Sequence, residues 1–208
     1  MAAKTVALAA VVALGVVAQA QSGVPSGRTT PTGMEDGPKP TCNRCAATYI
    51  GVEEIQRYFA RAKDAVVDQQ VRALDVGKTN VDIGVVYRGK ITGTPNVAEH
   101  DQVSEVYHII EGTATLVTGS DIVGWKRRPG DQTNVRLLNG PGGDGTSIRN
   151  AATYHLKPGD VIVIPAGVGH QFTQIDDHIR YLMVRVDPDK VTPLKDEAAS
   201  RADLRGAK

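Results

Sequence analysis

The sequence has few aromatic residues, few cysteines and few long apolar runs, and it has almost no excess of charge of either sign. Its 208 residues include one Trp, two Phe and two Cys, too few cysteines for a disulfide scaffold. A formal charge of +1 argues against nucleic-acid binding, because such binding needs a basic surface that neutralises phosphates. The same balance gives no reason to expect a membrane-surface protein. The composition is that of an ordinary globular protein, 41% hydrophobic and 23% charged, with a length that suits one domain.

The first twenty residues have the pattern of a secretion signal. Lys4 supplies a positive start, residues 6–17 are Ala, Val and Leu with one Gly, and Ala18 to Ala20 form an A-x-A cleavage site. The apolar run is too short to span about 30 Å of hydrocarbon as a helix, which favours a cleaved signal over an anchor. We therefore predict cleavage after Ala20, a periplasmic or secreted protein, and no membrane attachment after cleavage.

Residues 21–48 are rich in Gly, Ser, Thr and Pro, and they predict a flexible leader because they cannot bury enough apolar surface to fold alone. The leader contains Cys42 and Cys45. In an oxidising compartment a short local disulfide or two ordinary thiols are expected. A redox C-x-x-C is disfavoured because that motif opens a helix after a strand, and a zinc knuckle would need a second ligand pair nearby.

The remaining chain predicts one helix, then an all-β barrel, then a loose or helical tail. The helix falls in residues 49–69, where Ile55, Tyr58, Phe59 and Ala62 form an i, i+3, i+4, i+7 stripe. The barrel covers residues 70–192 and the tail 193–208. Nine short β-branched segments separated by Gly and Pro turns are the candidate strands: 70–76, 81–88, 105–110, 114–118, 135–138, 153–156, 161–164, 169–175 and 179–186.

One segment of this barrel places a histidine, a glutamate and a glycine at fixed spacings. Four residues separate His100 from Glu105, and six residues separate Glu105 from Gly112. Alternate side chains of a strand share a face, so the short turn after His100 lets the two side chains converge.

A second segment brings another histidine after a glycine- and proline-marked turn. Gly159 is followed by Pro165, Gly167 and His170, and Gln174 comes four residues later. The turn at Pro165 would direct His170 toward the first segment from a facing strand. A lone histidine is usually structural, and the surrounding spacing is what makes His170 a candidate ligand.

Together the two segments resemble the two motifs of the cupin superfamily over roughly residues 95–175. The resemblance implies a double-stranded β-helix, or jelly roll, that holds a metal with His100, Glu105 and His170. Two imidazoles and one carboxylate suit Fe, Mn, Zn, Ni or Cu, and affinity rank does not choose among these metals. Gln174 stands where the second motif has Asn, and Ala98 stands where the first motif has its first His.

Ala98 leaves three outcomes open. The metal is held by the three remaining ligands; or Gln102 or Tyr107 reaches in as a further ligand; or the metal is weakly held or absent, which leaves a pocket for a sugar or an acid. We favour the first outcome.

The other site candidates have ordinary structural explanations beside the functional ones. Tyr107 is a candidate catalytic base, while Gln102, Phe172 and Gln174 are candidates to line the pocket; a core position is the commoner role of an aromatic residue. His108 and His155 are expected at the surface. The further candidates for contact with an anionic substrate, expected by default to be solvated, are Arg127, Arg128 and Arg185.

Residues 120–153 form a long insertion between the two motifs, with Trp125 and a glycine-rich stretch at 140–145. Long loops in compact domains are often functional, so the insertion predicts either a lid over the barrel mouth or a hairpin or dimer contact that extends the sheet.

The functional prediction is an exported metal-dependent cupin enzyme, of oxygenase or of lyase or isomerase type, that acts on a small organic molecule. The alternative is a non-catalytic cupin that binds a metal or a small ligand, and a third possibility is a scaffold for protein interaction. Because an open barrel exposes sheet edges that favour pairing, we also predict a homodimer.

Overall fold

The structure is a computed structural model that describes residues 40–42, 45–62, 68–91 and 93–206. The predicted signal peptide and most of the leader lie outside the described residues. In chain order the elements are α1 Val52–Ala62, β1 Asp68–Asp75, β2 Asn80–Gly89, β3 Val97–His100, β4 Ser104–Gly119, β5 Ile122–Val123, β6 Lys126–Arg127, a π-helical turn Val135–Asn139, β7 Gly142–Gly145, β8 Ser147–Ile148, β9 Ala152–Leu156, β10 Val161–Ile164, β11 Gly169–Asp187 and α2 Glu197–Gly206. No helix in this described part is long and apolar enough to cross a membrane.

Helix α1 forms where the apolar stripe predicts it. Tyr58, Phe59 and Ala62 are buried, and they pack against the outer face of β1 and β2. Acidic side chains in the first turn and Arg61 in the last turn complement the helix dipole. The helix and α2 thereby cover one part of the outer wall of the barrel.

Strands β4 and β11 build the barrel because each runs through two facing antiparallel sheets. In one sheet the first half of β4 pairs with the second half of β11. Strand β10 lies on the other side of β4, β2 lies on the other side of β11, and β1 pairs with β2 at the edge. The second half of β4 and the first half of β11 lie beside β9 and β3, and β7 and β6 extend that sheet. This arrangement confirms the predicted all-β double-stranded β-helix with one helix before it.

Strands β4 and β11 each continue through a bend at a point where the sequence predicts that one strand ends and another begins. Gly112 lies inside β4 with φ +79, and a Cβ there would stand 1.9 Å from the carbonyl oxygen of His178. Only glycine allows the two bent strands to approach so closely. Strand β11 has its own irregularity between Ile175 and Ile179. The four predicted strands 105–110, 114–118, 169–175 and 179–186 are therefore two continuous ones.

Two apolar clusters stabilise the fold. The larger lies between the sheets and contains Val86, Tyr107, Ile109, Ala114, Leu116, Leu156, Ile164, Phe172, Ile175, Ile179, Tyr181 and Met183. The smaller lies under the helices and contains Tyr58, Phe59, Val71, Val85 and Leu204. The first cluster fills one end of the barrel interior, and the candidate site occupies the other.

The insertion extends the sheet, as one of the two predicted alternatives has it. Strand β7 pairs with β3, and β6 pairs with β7. Residues 135–138, predicted as a strand, form the π-helical turn instead. Short apolar runs do not distinguish strand from helix, and the Asn134 side chain accepts a hydrogen bond from the backbone of Val135, which begins the turn.

The segment before α1 carries a disulfide between Cys42 and Cys45. It is the local disulfide that the sequence favours over a redox or zinc motif. The predicted tail contains α2, where Leu204 packs under the barrel wall.

Candidate metal centre

The structure brings the three predicted ligands together inside the barrel. His100 Nε2 lies 3.6 Å from Glu105 Oε1, and His170 Nε2 lies 3.5 Å from Glu105 Oε2. One ligand atom from each side chain falls within 4.8 Å of the others, and all three residues are buried. This spacing is compatible with a single divalent ion shared by the three side chains.

The two motif turns position these residues through the backbone. His100 ends β3, Glu105 follows at the start of β4, and His170 begins β11. The amide of Gly167 donates to the carbonyl oxygen of His100 at 2.7 Å, and the amide of Ala166 donates to Ser104 Oγ at 3.1 Å. Each motif therefore fixes the other.

Glu105 is held as an ionised carboxylate by donors on both of its oxygens. The Tyr107 hydroxyl donates to Oε2 at 2.5 Å, and Arg185 Nε donates to Oε1 at 3.1 Å. Burial alone would raise the pKa of this carboxyl, but the neighbouring imidazoles, the Arg185 guanidinium and the Tyr107 hydroxyl outweigh burial and hold the pKa well below its usual range. A charged carboxylate is the form that a metal requires.

Both histidines are neutral at neutral pH. Burial lowers the pKa of His100 to about 3, against the opposing charge of Glu105. Burial also lowers the pKa of His170. Neutral imidazoles offer a nitrogen lone pair, so both rings are in the protonation state that metal binding needs.

The two imidazoles differ in where their proton sits. His170 Nδ1 lies 3.3 Å from the carbonyl oxygen of Val168, which only accepts, so Nδ1 carries the proton and Nε2 presents its lone pair toward Glu105. His100 Nδ1 lies 3.5 Å from Arg128 Nη1, which only donates, so the proton of His100 is on Nε2. His170 and Glu105 fit a metal as they stand, and His100 fits once its proton moves to Nδ1 and Arg128 shifts.

Arg185 and Arg128 are buried, which corrects the expectation that both are solvated. Arg185 is 1% exposed and Arg128 is 5% exposed. Arg185 reaches Glu105 because it lies on the inward face of β11, two and four residues after Met183 and Tyr181. This alternation along β11 is the sequence pattern that marks Arg185 as an inward-facing residue. Arg127 remains exposed, as expected.

Arg185 ties the centre to β1, which sequence reasoning missed altogether. Its Nη1 donates to Gln70 Oε1 at 3.1 Å, and its Nη2 pairs with Asp68. The Arg185 guanidinium therefore lies between two carboxylates. No motif marks Asp68 or Gln70, because their part in the site depends on how β1 pairs with β2.

Arg128 comes from the insertion. Its Nε donates to Asp144 at 2.9 Å and its Nη2 donates to the carbonyl oxygen of Gly143 at 2.7 Å. Trp125 lies over Gly143, where a Cβ would clash with the indole ring, and donates to Glu99 Oε2 at 3.1 Å. The insertion thus packs behind His100 as an extension of the sheet.

Tyr107 and Phe172 lie inside the barrel, as expected. Burial and the Glu105 charge raise the pKa of Tyr107 well above its ordinary value, so its hydroxyl is a hydrogen-bond donor at neutral pH and cannot be the base. Phe172 stacks on Tyr107 with ring centroids 6.5 Å apart.

The remaining candidates lie elsewhere. Gln102 is half-buried in the turn between β3 and β4. Gln174 is exposed and donates to Asp176 at 2.7 Å, which corrects its predicted place in the pocket. A register shift between Phe172 and Gln174 turns the side chain outward. His108 and His155 are exposed, as expected.

Two cavities differ in their relation to the centre. A cavity of about 220 Å³ at the barrel mouth is lined in part by Arg88, Ala98, His170 and Phe172. A larger one, about 890 Å³, lies on the outer wall beside α1 and is mainly apolar. The larger cavity contains none of the three candidate ligands, whereas the mouth cavity reaches His170.

Comparison with known proteins gives one family match, to the AraC-like ligand binding domain, over residues 142–205. This match covers the second motif and Arg185 but neither His100 nor Glu105. No curated protein matches the chain.

Solved structures resemble the chain at low identity. A protein from Bacillus halodurans shares 12% identity over 77% of this chain and 98% of its own, with a TM-score of 0.40. An RmlC-like cupin family protein from Methanocaldococcus jannaschii shares 16% identity over 62% of this chain and 89% of its own, with a TM-score of 0.35. A DMSP lyase from Ruegeria pomeroyi shares 16% identity over 74% of this chain and 60% of its own, with a TM-score of 0.36.

The two motifs occupy their positions on a double-stranded β-helix, and they bring their histidines and glutamate to one point inside it. The family match covers the half of the barrel that carries the second motif. The chain therefore has a double-stranded β-helix fold, and its two motifs resemble those of the cupin superfamily.

Proposed function

We propose that this chain is an exported metal-binding enzyme that acts on a small organic molecule in the barrel. The observation that carries the proposal is the buried group of His100, Glu105 and His170, whose ligand atoms lie within 4.8 Å of one another. Burying an ionised carboxylate beside two imidazoles costs free energy, and perturbed titratable groups in a cleft are typical of functional sites.

His170 Nε2, a Glu105 oxygen and His100 Nε2 would hold the metal. When bound, the ion would supply Lewis acidity or a site for dioxygen. Arg185 keeps Glu105 charged and fixes its orientation through Oε1. The Tyr107 hydroxyl fixes Oε2 and keeps its own proton, so Tyr107 is a positioning residue for the carboxylate.

The apolar surroundings exclude water from one side of the centre. Phe172, Tyr181 and Tyr107 pack together below it, with ring centroids of Tyr107 and Tyr181 4.4 Å apart. The centre opens to the mouth cavity beside Ala98, which Phe172 also lines. A substrate would therefore enter from the Ala98 side, where the usual first histidine of the motif is missing.

A non-catalytic ligand-binding cupin is the second candidate, and one contact favours it. Arg128 donates toward His100 Nδ1 and so opposes the tautomer that a metal needs at Nε2. With Ala98 in place of a fourth ligand, the centre would then bind metal weakly and serve as a small-ligand pocket.

Export is part of the proposal. The Cys42–Cys45 disulfide supports it, because such bonds persist in oxidising compartments such as the periplasm or the extracellular space. The signal pattern of residues 1–20 supports it from the sequence.

Elemental analysis of the protein, purified by export and without chelators, tests the proposal. We expect near-stoichiometric transition metal in the parent and its loss in His170→Ala. The matched control is His155→Ala, which removes an exposed histidine and should keep the metal.

Two results would contradict the metal site. One is a parent that holds no metal after reconstitution with Fe, Mn, Zn, Ni and Cu. The other is equal metal content in the parent and in His170→Ala. Either result would favour the small-ligand candidate.

A further inference from the structure

The arginines that reach into the protein share a feature that Arg88 lacks. Each of three others has a carboxylate partner: Arg72 with Glu54 at 2.7 Å, Arg128 with Asp144 at 2.9 Å, and Arg185 with Glu105 at 3.1 Å. Arg88 donates through Nε to the Tyr181 hydroxyl at 3.2 Å. Among the described residues it forms no salt bridge.

The unpaired guanidinium lies at the mouth of the barrel. Arg88 stands on β2 and lines the cavity of about 220 Å³ that also reaches Ala98 and His170. Its central carbon lies 5.3 Å from the centre of the Phe172 ring, so the aromatic face supports it from one side. Its terminal nitrogens Nη1 and Nη2 make no hydrogen bond within the described chain.

The carboxylates near the cavity are already paired with another arginine, and none of the described ones forms a salt bridge with Arg88. Asp68, whose charge acts on Arg88, and Glu105 both already pair with Arg185. A half-buried cation without a counter-ion is costly, and a planar guanidinium is suited to receive a carboxylate through two parallel hydrogen bonds.

We propose that the mouth cavity binds the carboxylate of a small organic acid, with Arg88 as its anchor. One guanidinium matches the single charge of one carboxylate. The inference rests on the proposed function, since the acid would be the molecule presented to the metal centre.

Ala98 gives this acid its room. Ala98 is the strand partner of His170, and both line the mouth cavity. A histidine at position 98 would add an imidazole beside His170, whereas the methyl group of alanine leaves that space open. The volume is below the roughly 300–1,000 Å³ of typical ligand pockets, so the acid is a compact one that reaches from Arg88 to His170.

Binding of propionate, followed by NMR titration, tests the anchor, with the neutral amide propionamide as the paired probe. Both probes are titrated into metal-free and metal-loaded protein. We expect Arg88→Met to weaken propionate binding about 10- to 100-fold, which is the usual value of a charge-assisted contact. Propionamide should bind weakly to the parent and to the variant alike.

Two further variants control the measurement. Arg149→Met removes an exposed arginine that pairs with Asp121, and it should leave propionate binding unchanged. Arg88→Lys keeps the positive charge but cannot make the two parallel hydrogen bonds of a guanidinium, and it should weaken binding less than Arg88→Met does. Arg88→Gln replaces Arg88→Met if circular dichroism shows that the methionine variant is unfolded.

The outcomes separate this inference from the metal proposal. Equal propionate binding by the parent and Arg88→Met, or no binding by the parent, overturns the carboxylate site whatever the metal content. If the parent takes up no metal on reconstitution but still binds propionate through Arg88, the carboxylate site is supported and the metal enzyme is contradicted.

Discussion

Each face of the sheet formed by β1, β2, β11, β4 and β10 carries an exception to the usual distribution of apolar residues inside and charged residues outside. The inner face carries Glu105 and Arg185, which are 2% and 1% exposed, whereas the outer face presents Val161 and Val163 at 61% and 63%. Buried charge is costly unless it is paired, and exposed apolar patches mark interaction sites. The inner face therefore carries the candidate site, and we propose that a partner covers the exposed valines of the outer face.

The strongest way to break the inner face is to remove its central cation. Arg185→Met should lower the free energy of unfolding by about 3–5 kcal/mol, because Glu105 and Asp68 lose their counter-charge inside the barrel. Urea denaturation of the variant and the parent measures the loss. Arg149→Met is the control and should change stability by less than about 0.5 kcal/mol. A similarly small effect of Arg185→Met would contradict the buried pairing.

A second prediction for the inner face concerns the tautomer of His100. Arg128→Gln should tighten metal binding by about tenfold, since outer-shell partners tune metal affinity by 10- to 100-fold. The glutamine oxygen can accept a hydrogen bond from His100 Nδ1, which frees Nε2 for the ion. Competition with a chromophoric chelator measures the affinity. Weaker binding by Arg128→Gln would show that Arg128 supports the metal instead of opposing it.

A third change concerns a buried carboxyl on β2. Thr192 Oγ1 lies 2.9 Å from Asp82 Oδ2 and 2.7 Å from Asp187 Oδ2, and one hydroxyl proton serves only one of them. Burial raises the pKa of Asp82 above its ordinary 3.8, against the opposing effects of Gln70, Thr192 and Arg185, while Asp187 adds to the rise. We infer that Asp82 donates to Thr192 as a neutral acid.

The sign of the pH effect follows from that raised pKa. Above pH 3.8 the unfolded chain loses a proton that the folded chain keeps, so the Asp82 contribution to stability falls as pH rises through the folded pKa. Asp82→Asn should remove that fall and make the variant more stable than the parent at neutral pH. Melting curves of both proteins across the acidic range would show it, and parallel curves would contradict a neutral Asp82.

The smallest expected effect tests the outer face. Strand β10 pairs only with β4 among the described strands. Its outward Val161 is the strand partner of His108, which lines the apolar cavity beside α1. We propose that a second copy of the chain covers this edge, as the predicted homodimer requires. Val163→Lys should shift the dimer toward monomer in sedimentation velocity, and Lys126→Ala, on the far sheet, should not. A parent that is monomeric at high concentration would contradict the dimer.

The sequence predicts the centre better than its surroundings. His100, Glu105 and His170 could be identified because turns of fixed length place them, and turns are encoded locally. Arg185 and Arg88 could not be identified in this way, since their partners come from strands that are distant in the chain. Gln174 was misplaced because a bulge inside β11 has no marker in the residues around it.

The same distinction holds for the fold. The alternation of apolar residues predicts β10 to the residue and β1 and β2 within two residues. It divides β4 and β11 in two because Gly112 resembles a strand end, although it marks a bend. Strand β7 in the insertion lacks an apolar pattern because it is built largely of glycines, of which Gly143 lies directly under Trp125.

Strand β11 has a consequence for how the protein folds. It carries His170 near its first residue and Arg185 near its last, and both point into the barrel. A slip of one residue against β4 would turn both side chains outward. A ligand that needs both ends of the strand would bind only chains in the native register, so binding would draw misaligned chains toward the correct fold.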